Sequence, residues 1–331
     1  MPSNSPKLSI VTPAHNEAEA LPALVEAIHK VLRNSIEYEL IIVNDGSTDN
    51  SCEILERLSK DYEFVRYINF TRNFGHQAAL KAGLLHANGD CVIAMDADLQ
   101  HPPAMIPDMI EQWRKGYKMV LTRRLNSNNQ GTLKKITSIY YYKFINLLSD
   151  NNAQQGMADF YLLDRQVIST LKLYGEGRWF LRGILPTLGF KTKYLDYKPD
   201  RRIHGVSQYT IKKMLQLAVD GILTTSLAPL RFGIFLAIIV AGVSALYACY
   251  ALYVGMYLGK ALPGWTSVMM AVTVIGSMQL FMLGIIGEYL GRTLSEVRHR
   301  PDFIIENSNI SNTLSDRDEQ PSKNYRGNIA C

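Results

Sequence analysis

Short apolar runs alternate, along the first half of the chain, with stretches in which apolar residues recur at helical spacing. The run at 91–95 has β-branched residues at its centre and is typical of a buried strand, whereas Leu21, Leu24 and Ile28 are typical of one face of a helix. The predicted strands, in chain order, are 8–12 (closed by Pro13), 39–43, 64–70, 91–95, 119–122 and 159–163. Strands that alternate with helices build parallel sheets covered on both sides. The sequence therefore predicts an α/β fold with a doubly wound, mostly parallel sheet.

The second half of the chain has a different pattern. Residues 232–259 and 261–287 carry no charged side chain, and each run exceeds the roughly 20 apolar residues that span a bilayer. Lys260 and the turn-prone segment 262–264 separate the two runs. We therefore predict a hairpin of two transmembrane helices, at about 232–257 and 265–287.

The segments on either side of this hairpin are polar or amphipathic. Residues 206–230 combine a broad apolar face with Lys212 and Lys213 elsewhere, a pattern typical of a helix lying in the membrane interface. The end of the chain is rich in Ser, Asn and Asp and predicts disorder from about residue 306. The predicted regions are a catalytic domain at 1–205, the interfacial helix at 206–230, the membrane hairpin within 231–292 and a tail at 293–331.

Charge sets the expected orientation. The net charge is +5, and basic residues flank the two apolar runs on the side of the chain termini, while the connecting loop offers only Lys260. By the positive-inside rule, both termini and the catalytic domain are predicted to be cytoplasmic, in a multi-pass protein of the inner (cytoplasmic) membrane. Basic residues placed near a membrane suit anionic lipid headgroups, so no nucleic-acid partner is expected. The N-terminus has no apolar signal region, and the four scattered cysteines imply neither zinc nor disulfides.

Two carboxylates follow the strand at 91–95. Asp96 and Asp98 are one residue apart, so both would leave the strand on the same face. Carboxylates held that close repel each other unless a cation lies between them, and Mg²⁺ or Mn²⁺ accepts such oxygen ligands. Spacing alone leaves equally open the interpretation that Asp98 caps the next helix and Asp96 is solvated.

Polar residues also follow the other predicted strands. They are His15, Asn16 and Glu17 after the first, Asp45 after the second, Arg72 after the third, and Arg123 and Arg124 after the fifth. Ligands bind beyond the carboxyl ends of strands in such sheets. Neither GxGxxG after the first strand nor GxxxxGK[ST] is present, which disfavours a dinucleotide-dependent dehydrogenase and a P-loop NTPase.

Several of these segments resemble one enzyme family. Thr12-Pro13-Ala14-His15-Asn16-Glu17, Asn44-Asp45-Gly46-Ser47 and Asp96-Ala97-Asp98-Leu99-Gln100 are similar to the strand ends of family 2 glycosyltransferases, which have the Rossmann-like GT-A fold. The segments at 70–76, 202–207 and 287–293 are similar to those of polyprenyl-phosphate glycosyltransferases, the group that contains bactoprenol glucosyltransferases and dolichol-phosphate mannose synthase. The resemblance runs in order from about residue 7 to 304.

This resemblance implies a reaction. A hexose would move from a nucleotide-diphosphate sugar to a polyprenyl phosphate at the cytoplasmic face of the membrane, with inversion at the anomeric carbon. The similarity of the segment at 70–76 to bactoprenol glucosyltransferases favours glucose, with UDP-glucose as donor. The family resemblance as a whole implies undecaprenyl phosphate as acceptor and a product that serves O-antigen, lipopolysaccharide (lipid A) or cell-wall decoration. Self-association into a homo-oligomer is left open.

The resemblance also implies roles for individual residues. The nucleotide-sugar site would include Pro13, His15, Glu17, Asp45 and Asp96, and Asp96 and Asp98 would hold the Mg²⁺ or Mn²⁺. The acceptor phosphate would be bound by Arg123, Arg202 and Ser207. Asp159 matches an acidic position on the acceptor side, where it would act as a base or orient the acceptor, although an isolated Asp opening a strand is as often a turn residue.

Three alternatives stay open at this point. Gly175-Glu176-Gly177-Arg178-Trp179 lacks the Gln of the motif Gln-x-x-Arg-Trp found in processive family 2 synthases, which favours single transfer and leaves the role of Arg178 undecided. The acceptor could instead be diacylglycerol or another membrane lipid. A catalytically silent membrane scaffold is a further alternative, against which the intact Asp96 and Asp98 argue.

Overall fold

The computed structural model describes residues 7–33, 35–125, 157–174, 179, 181–198, 228–257, 264–298 and 300–310. These residues belong to two compact units. The first contains the described residues up to 198 together with those from 301 onwards, and the second contains two long helices.

The first unit is a sheet with helices on both faces. Its strands are β1 (Lys7–Ala14), β2 (Glu37–Asn44), β3 (Val65–Phe70), β4 (Cys91–Ala94), β5 (Met119–Arg124), β6 (Met157–Asp164), β7 (Thr192–Tyr197) and β8 (Ile305–Ser308). Its helices are α1 (Ala20–Leu32), α2 (Ser51–Asp61), α3 (His76–His86), α4 (Ile106–Arg114), α5 (Arg165–Leu171) and α6 (Leu181–Ile184), with 3₁₀ turns at Pro103–Met105 and Leu185–Leu188.

The eight strands are hydrogen-bonded in the order β7-β5-β6-β4-β1-β2-β3-β8. Strands β1 to β4 are parallel, as are β5 and β7, whereas β6 runs antiparallel to β4 and β5, and β8 runs antiparallel to β3. The sheet is therefore mostly parallel, as predicted. The reversed β6 has a consequence for the site, because its first residues lie at the edge where the parallel strands end.

Two apolar layers bury the sheet. On one face, α1 packs through the residues predicted for it, including Leu21, Leu24 and Ile28, which are fully buried. On the other face, α3 and α5 pack against the side chains that alternate with those, such as Val11 and Tyr161. Alternation of side chains along each strand, with both faces apolar, is expected for a sheet covered on both sides.

The first strand does not end at Pro13. It continues to Ala14, and Pro13 is paired with Val43 of β2. The carbonyl of Val11 accepts the N–H of Met95 on the β4 side, whereas the carbonyl of Ala14 accepts an N–H on the β2 side. Pro13 therefore faces the β4 side, where β4 has already ended, and its missing N–H interrupts no ladder.

The prediction of disorder from about residue 306 was wrong for residues 306–310. Residues 305–308 form β8, which covers the outer edge of β3. Phe303 stacks on Phe70 with 5.1 Å between ring centroids, and the side chain of Asn309 accepts the N–H of Tyr67 at 2.7 Å. Polar side chains that bond to an open strand edge can hold a segment whose composition suggests disorder. Residues 311–331 lie outside the described residues.

The second unit contains α7 (Ala228–Tyr257) and α8 (Trp265–Val297), which contact each other where Gly233 meets Met282. Within α8, Val274–Gly291 is long and apolar enough to cross a membrane, and none of it is buried. The apolar stretch of α7, Ala237–Tyr247, is shorter. The described residues thus contain one candidate span, and the predicted two-span hairpin is not confirmed. The predicted interfacial helix lies, up to residue 227, outside the described residues.

Candidate active site

The polar residues that follow the strands meet at one edge of the sheet. This edge carries the carboxyl ends of β1 to β5 and, because β6 is reversed, the beginning of β6. The residues there that sequence reasoning singled out are Pro13, His15 and Glu17 after or within β1, Asp45 after β2, Asp96 and Asp98 after β4, Arg123 at the end of β5, and Asp159 in β6.

Asp45 is almost fully buried, with 3% of its surface exposed. Its Oδ1 accepts the N–H of Phe74 at 2.7 Å, and its Oδ2 accepts the N–H of Gly75 at 2.9 Å. The turn after β2 approaches the loop between β3 and α3 closely at Gly46, which has a φ of +59°. A Cβ at this position would overlap the backbone of Arg72, so the close approach requires glycine. The Asp45 carboxylate therefore fastens the loop that connects β3 to α3.

The loops after β1 and β2 are also bonded to each other. His15 donates from Nδ1 to the carbonyl oxygen of Asp45 at 2.9 Å. Asn16, at a φ of +57°, accepts the N–H of Thr48 on its Oδ1 at 2.8 Å, and Glu17 donates its N–H to the hydroxyl of Ser51 at 3.2 Å. The residues predicted to line the nucleotide end thus lie on two mutually supported loops.

Asp96 and Asp98 lie in the loop after β4. The N–H of Asp96 donates to Nδ1 of His101 at 3.0 Å, and Oδ1 of Asp98 accepts the N–H of Gln100 at 3.1 Å. Burial raises the pKa of Asp96, and the nearby Asp159 and Asp98 carboxylates raise it further, against the lowering effect of His101 and His76. The raised pKa of Asp96 is therefore mainly an effect of burial.

His101 supports the loop that carries Asp96 and Asp98. Only 5% of its surface is exposed, and its ring stacks on Phe160 with 5.0 Å between centroids. Burial lowers the pKa of His101 despite the neighbouring Asp96. The ring is thus suited to accept the Asp96 N–H as a neutral imidazole.

Asp159 meets a guanidinium and an imidazole. Nε of Arg182 donates to Oδ1 at 2.8 Å and its terminal nitrogen NH2 donates to Oδ2 at 2.7 Å, a two-pronged arrangement. Nε2 of His76 lies 3.6 Å from Oδ2. Burial alone would raise the pKa of Asp159, but His76 and Arg182 hold it well below its usual range. Asp159 is thus ionised at neutral pH, and both its oxygens are already engaged.

His76 stands between Asp159 and Asp96. The same Nε2 atom lies 3.7 Å from Oδ1 of Asp96. Burial would lower the pKa of His76, but the Asp159 and Asp96 carboxylates outweigh it and raise the pKa above its usual value. One imidazole therefore faces a carboxylate that follows β4 and a carboxylate that opens β6.

Sequence reasoning missed His76, His101 and Arg182 as site residues. His76 and His101 do stand beside segments that were singled out, at 70–76 and 96–100. Arg182 follows the Arg178–Trp179 dipeptide by a few residues and belongs to a short helix, so no motif marks it. Arg178 itself lies outside the described residues.

The predicted acceptor residues are only partly described. Nε of Arg123 donates to Oδ1 of Asp196 at 2.9 Å, and both side chains are more than 40% exposed. The Arg123 guanidinium also lies 5.4 Å from the ring centroid of Tyr194. Arg202 and Ser207 lie outside the described residues, so the three predicted acceptor contacts are not brought together here.

Comparison with known proteins identifies the family. Residues 9–172 match the model of glycosyl transferase family 2. The chain is 37% identical to the uncharacterized glycosyltransferase YkcC of Bacillus subtilis, over 95% of this chain and 98% of that protein. It is 36% identical to the bactoprenol glucosyl transferase of Shigella phage SfV, over 91% of this chain and 98% of that protein. The chain belongs to glycosyltransferase family 2.

A solved structure supports the fold of this family 2 glycosyltransferase. Glucosyl-3-phosphoglycerate synthase from Mycobacterium tuberculosis superposes with a TM-score of 0.50 at 16% sequence identity, over 66% of this chain and 78% of that chain. At that identity the likeness concerns the fold, and it confirms the GT-A architecture predicted for the catalytic domain. The protein is therefore a GT-A glycosyltransferase, and its carboxylates lie at the edge where the parallel strands end.

Proposed function

We propose that this glycosyltransferase transfers glucose from UDP-glucose to undecaprenyl phosphate at the cytoplasmic face of the membrane, with inversion at the anomeric carbon. The observation that carries the proposal is the extent of the similarity to the phage SfV bactoprenol glucosyl transferase. That similarity covers 91% of this chain, too much to be confined to the sheet domain, so it also includes apolar helix sequence. A lipid acceptor accounts for such helices beside a glycosyltransferase site.

The donor would bind along the ends of β1, β2 and β4. Pro13, His15, Glu17 and Asp45 would line the nucleotide end, and Asp96 would contact the diphosphate side. The hydrogen bond between His15 and Asp45 supports this assignment, since it holds two of these residues together at this edge of the sheet.

Asp96 and Asp98 fit a divalent cation. Among the described residues no three His, Cys, Asp or Glu side chains form a metal cluster, but Mg²⁺ and Mn²⁺ bind through one or two carboxylates, waters and substrate phosphates. The raised pKa of Asp96, caused by burial and by carboxylate neighbours, fits a site that receives a cation. A bound ion would neutralise charge on the departing nucleoside diphosphate. The Mycobacterium tuberculosis synthase was solved with Mn²⁺ and UDP.

The acceptor is already a nucleophile. A lipid phosphate is an anion near neutral pH, so the reaction needs no strong base but does need the phosphate aligned with the anomeric carbon. Asp159, with its lowered pKa and both oxygens on Arg182, is better suited to orient this side of the site than to take a proton. Arg123, Arg202 and Ser207 would bind the phosphate, and Arg123 would then exchange its Asp196 partner for it.

Membrane attachment would come from α7 and α8. Val274–Gly291 is a candidate span, and many apolar side chains of both helices are exposed, such as Leu246 and Leu280 at more than 70%. We propose that both helices enter the bilayer as a hairpin, with the termini and the catalytic domain in the cytoplasm.

The test uses the full chain in membranes. Radiolabelled UDP-glucose is supplied with either undecaprenyl phosphate or diacylglycerol, and the labelled lipid is quantified. Glucose on undecaprenyl phosphate supports the proposal, whereas label on diacylglycerol alone, or transfer only from other nucleotide sugars, refutes it. Asp98→Asn should abolish transfer, and Asp108→Asn, an exposed carboxylate of α4, should not. Unchanged transfer by Asp98→Asn would remove the metal assignment.

A further inference from the structure

His76 occupies a position that the reaction described above leaves without a role. Its Nε2 lies 3.7 Å from Oδ1 of Asp96 and 3.6 Å from Oδ2 of Asp159. A single ring nitrogen therefore contacts both the carboxylate on the donor side and the carboxylate on the acceptor side. With one hydrogen on that nitrogen, the imidazole can bridge the two groups but can satisfy only one of them at a time.

The backbone fixes His76 in this place. Both N–H groups that precede it, those of Phe74 and Gly75, are bonded to the Asp45 carboxylate. Gly75 has a φ of +103°, a conformation that favours glycine, and α3 begins at the next residue. Buried residues of α3, such as Leu80 and Ala82, then hold the helix on the sheet. The imidazole is thus delivered to the two carboxylates by a rigid loop and an anchored helix.

The far carboxylate is fixed independently. Arg182 holds both oxygens of Asp159, so the direction of that carboxylate does not depend on His76. The side chain of His76 is 43% exposed and therefore contributes little to the core. Removing the imidazole should leave the fold and the Asp159–Arg182 pair in place and remove only the group between the carboxylates.

We propose that His76 is a positioning residue that sets the separation of Asp96 and Asp159, and through it the alignment of donor and acceptor. This inference rests on the proposed function, which assigns Asp96 to the donor and Asp159 to the acceptor side. A residue with this role acts on turnover more than on binding, because misplacement of reacting groups by about 1 Å can cost on the order of 100-fold in rate.

The test compares three variants of the full chain in membranes. His76→Ala removes the imidazole, His76→Gln keeps an N–H donor at a similar reach, and His86→Gln changes the histidine at the other end of α3, which is bonded to its own helix. The kcat and the KM for UDP-glucose and undecaprenyl phosphate are measured, together with the Kd for UDP and the thermal unfolding midpoint.

We expect kcat to fall about 10- to 100-fold in His76→Ala, with both KM values and the Kd for UDP within about threefold of the wild type. His76→Gln should recover most of the loss, and His86→Gln should match the wild type. A kcat for His76→Ala within about threefold of the wild type, or equal losses in the Ala and Gln variants, would overturn the inference. A selective rise in the KM for either substrate would also overturn it and identify His76 as a binding residue. Absence of glucose transfer by the wild type would instead refute the proposed function.

Discussion

The two ends of β6 each carry an aspartate, and the two aspartates are equally buried. Asp159 near the start of the strand and Asp164 at its end are both aspartates with 6% of their surface exposed, and both have a pKa below the usual value. Their partners differ. Asp164 accepts the N–H of Gln166 at 2.9 Å, the indole N–H of Trp113 at 2.7 Å and the ammonium of Lys118 at 3.1 Å. Asp159 instead meets a guanidinium and an imidazole.

The difference predicts that one end of β6 serves the fold and the other serves the proposed reaction. Asp164 caps α5, and two of its three donors are neutral groups, the backbone N–H of Gln166 and the indole N–H of Trp113. Asp159 lies at the edge where the parallel strands end, and its partners are the half-exposed side chains of Arg182 and His76. Asp164 is thus bonded mainly by groups that belong to the fold, whereas Asp159 is bonded by side chains that reach the edge where ligands bind in such sheets.

The largest expected effect is a difference in the rate of sugar transfer between variants of these two aspartates. Asp159→Asn should lower transfer by about 100-fold or more, because an amide cannot hold the guanidinium and the imidazole as an anion does. Asp164→Ala should leave the transfer rate of the folded enzyme within about threefold but lower stability by about 2 kcal/mol, since it loses a cap and a buried hydrogen bond.

Turnover and thermal unfolding of the full chain in detergent test both halves of this prediction. If Asp164→Ala loses activity while it stays folded, or if Asp159→Asn transfers glucose normally, the division between the two ends of β6 is wrong.

The next largest expected effect is on stability, where loss of the Asp159–Arg182 pair should cost more than loss of a surface pair. Arg182→Ala should lower the free energy of unfolding by about 2 kcal/mol, less than is usual for a fully buried pair, because the Arg182 side chain is 48% exposed. Lys115→Ala, which removes an exposed pair with Glu111, should cost much less, because solvent screens that pair. Equal effects in the two variants would mean that the Asp159 carboxylate is solvated rather than held.

The pH dependence of that difference has a definite sign. The folded pKa of Asp159 lies below the unfolded value of about 3.9, so the pair stabilises the protein fully above that value and less as pH falls. The gap in unfolding free energy between the wild type and Arg182→Ala should therefore narrow as the pH drops below about 4. Denaturant titrations at a series of pH values measure it, and a gap that widens in acid would contradict the lowered pKa.

The sequence marks the carboxylates of this edge but not their partners. Asp96 and Asp45 end strands whose apolar pattern is clear, so their place at the edge follows from the α/β alternation. Asp159 reaches His76 and Arg182 only because β6 is reversed, and an apolar run carries no sign of its direction in a sheet.

The segment after residue 300 shows the same limit of sequence-based prediction, with a partner that is farther away in the chain. Strand β8 consists of Ile-Glu-Asn-Ser, which has no apolar alternation, and its place depends on the edge of β3, more than 230 residues away in the chain. The side-chain bond of Asn307 to Asn69, at 2.7 Å, illustrates the type of contact that creates it. Composition predicts disorder for such a segment because the partner that orders it is not local.

Asp45 sharpens the comparison because it combines features of both ends of β6. Like Asp164 it accepts backbone N–H groups, and like Asp159 it lies at the edge where the parallel strands end. Asp45→Asn should lower stability by about 1 kcal/mol and raise the KM for UDP-glucose by about tenfold, because the amide accepts only one of the two loop N–H groups and replaces the carboxylate proposed to contact the nucleotide, while the remaining bond keeps the loop before His76 in place. The kcat should change by less than about threefold. A change in stability without a change in KM would place Asp45 with Asp164 as a purely structural carboxylate.

The smallest effect is expected at β8, on the same sheet but at its outer edge. Asn309 accepts the N–H of Tyr67 and donates to the carbonyl of Val65, so Asn309→Ala should lower stability by about 1 kcal/mol and leave transfer unchanged. Asn309→Asp keeps the acceptor and loses only the donor, so its loss should be smaller. Unfolding midpoints and initial rates of the full chain check this. If Asn309→Ala slows transfer as much as Asp159→Asn, residues far from the edge that carries the carboxylates also matter for the reaction. The comparison between structural and catalytic positions in the sheet would then be wrong.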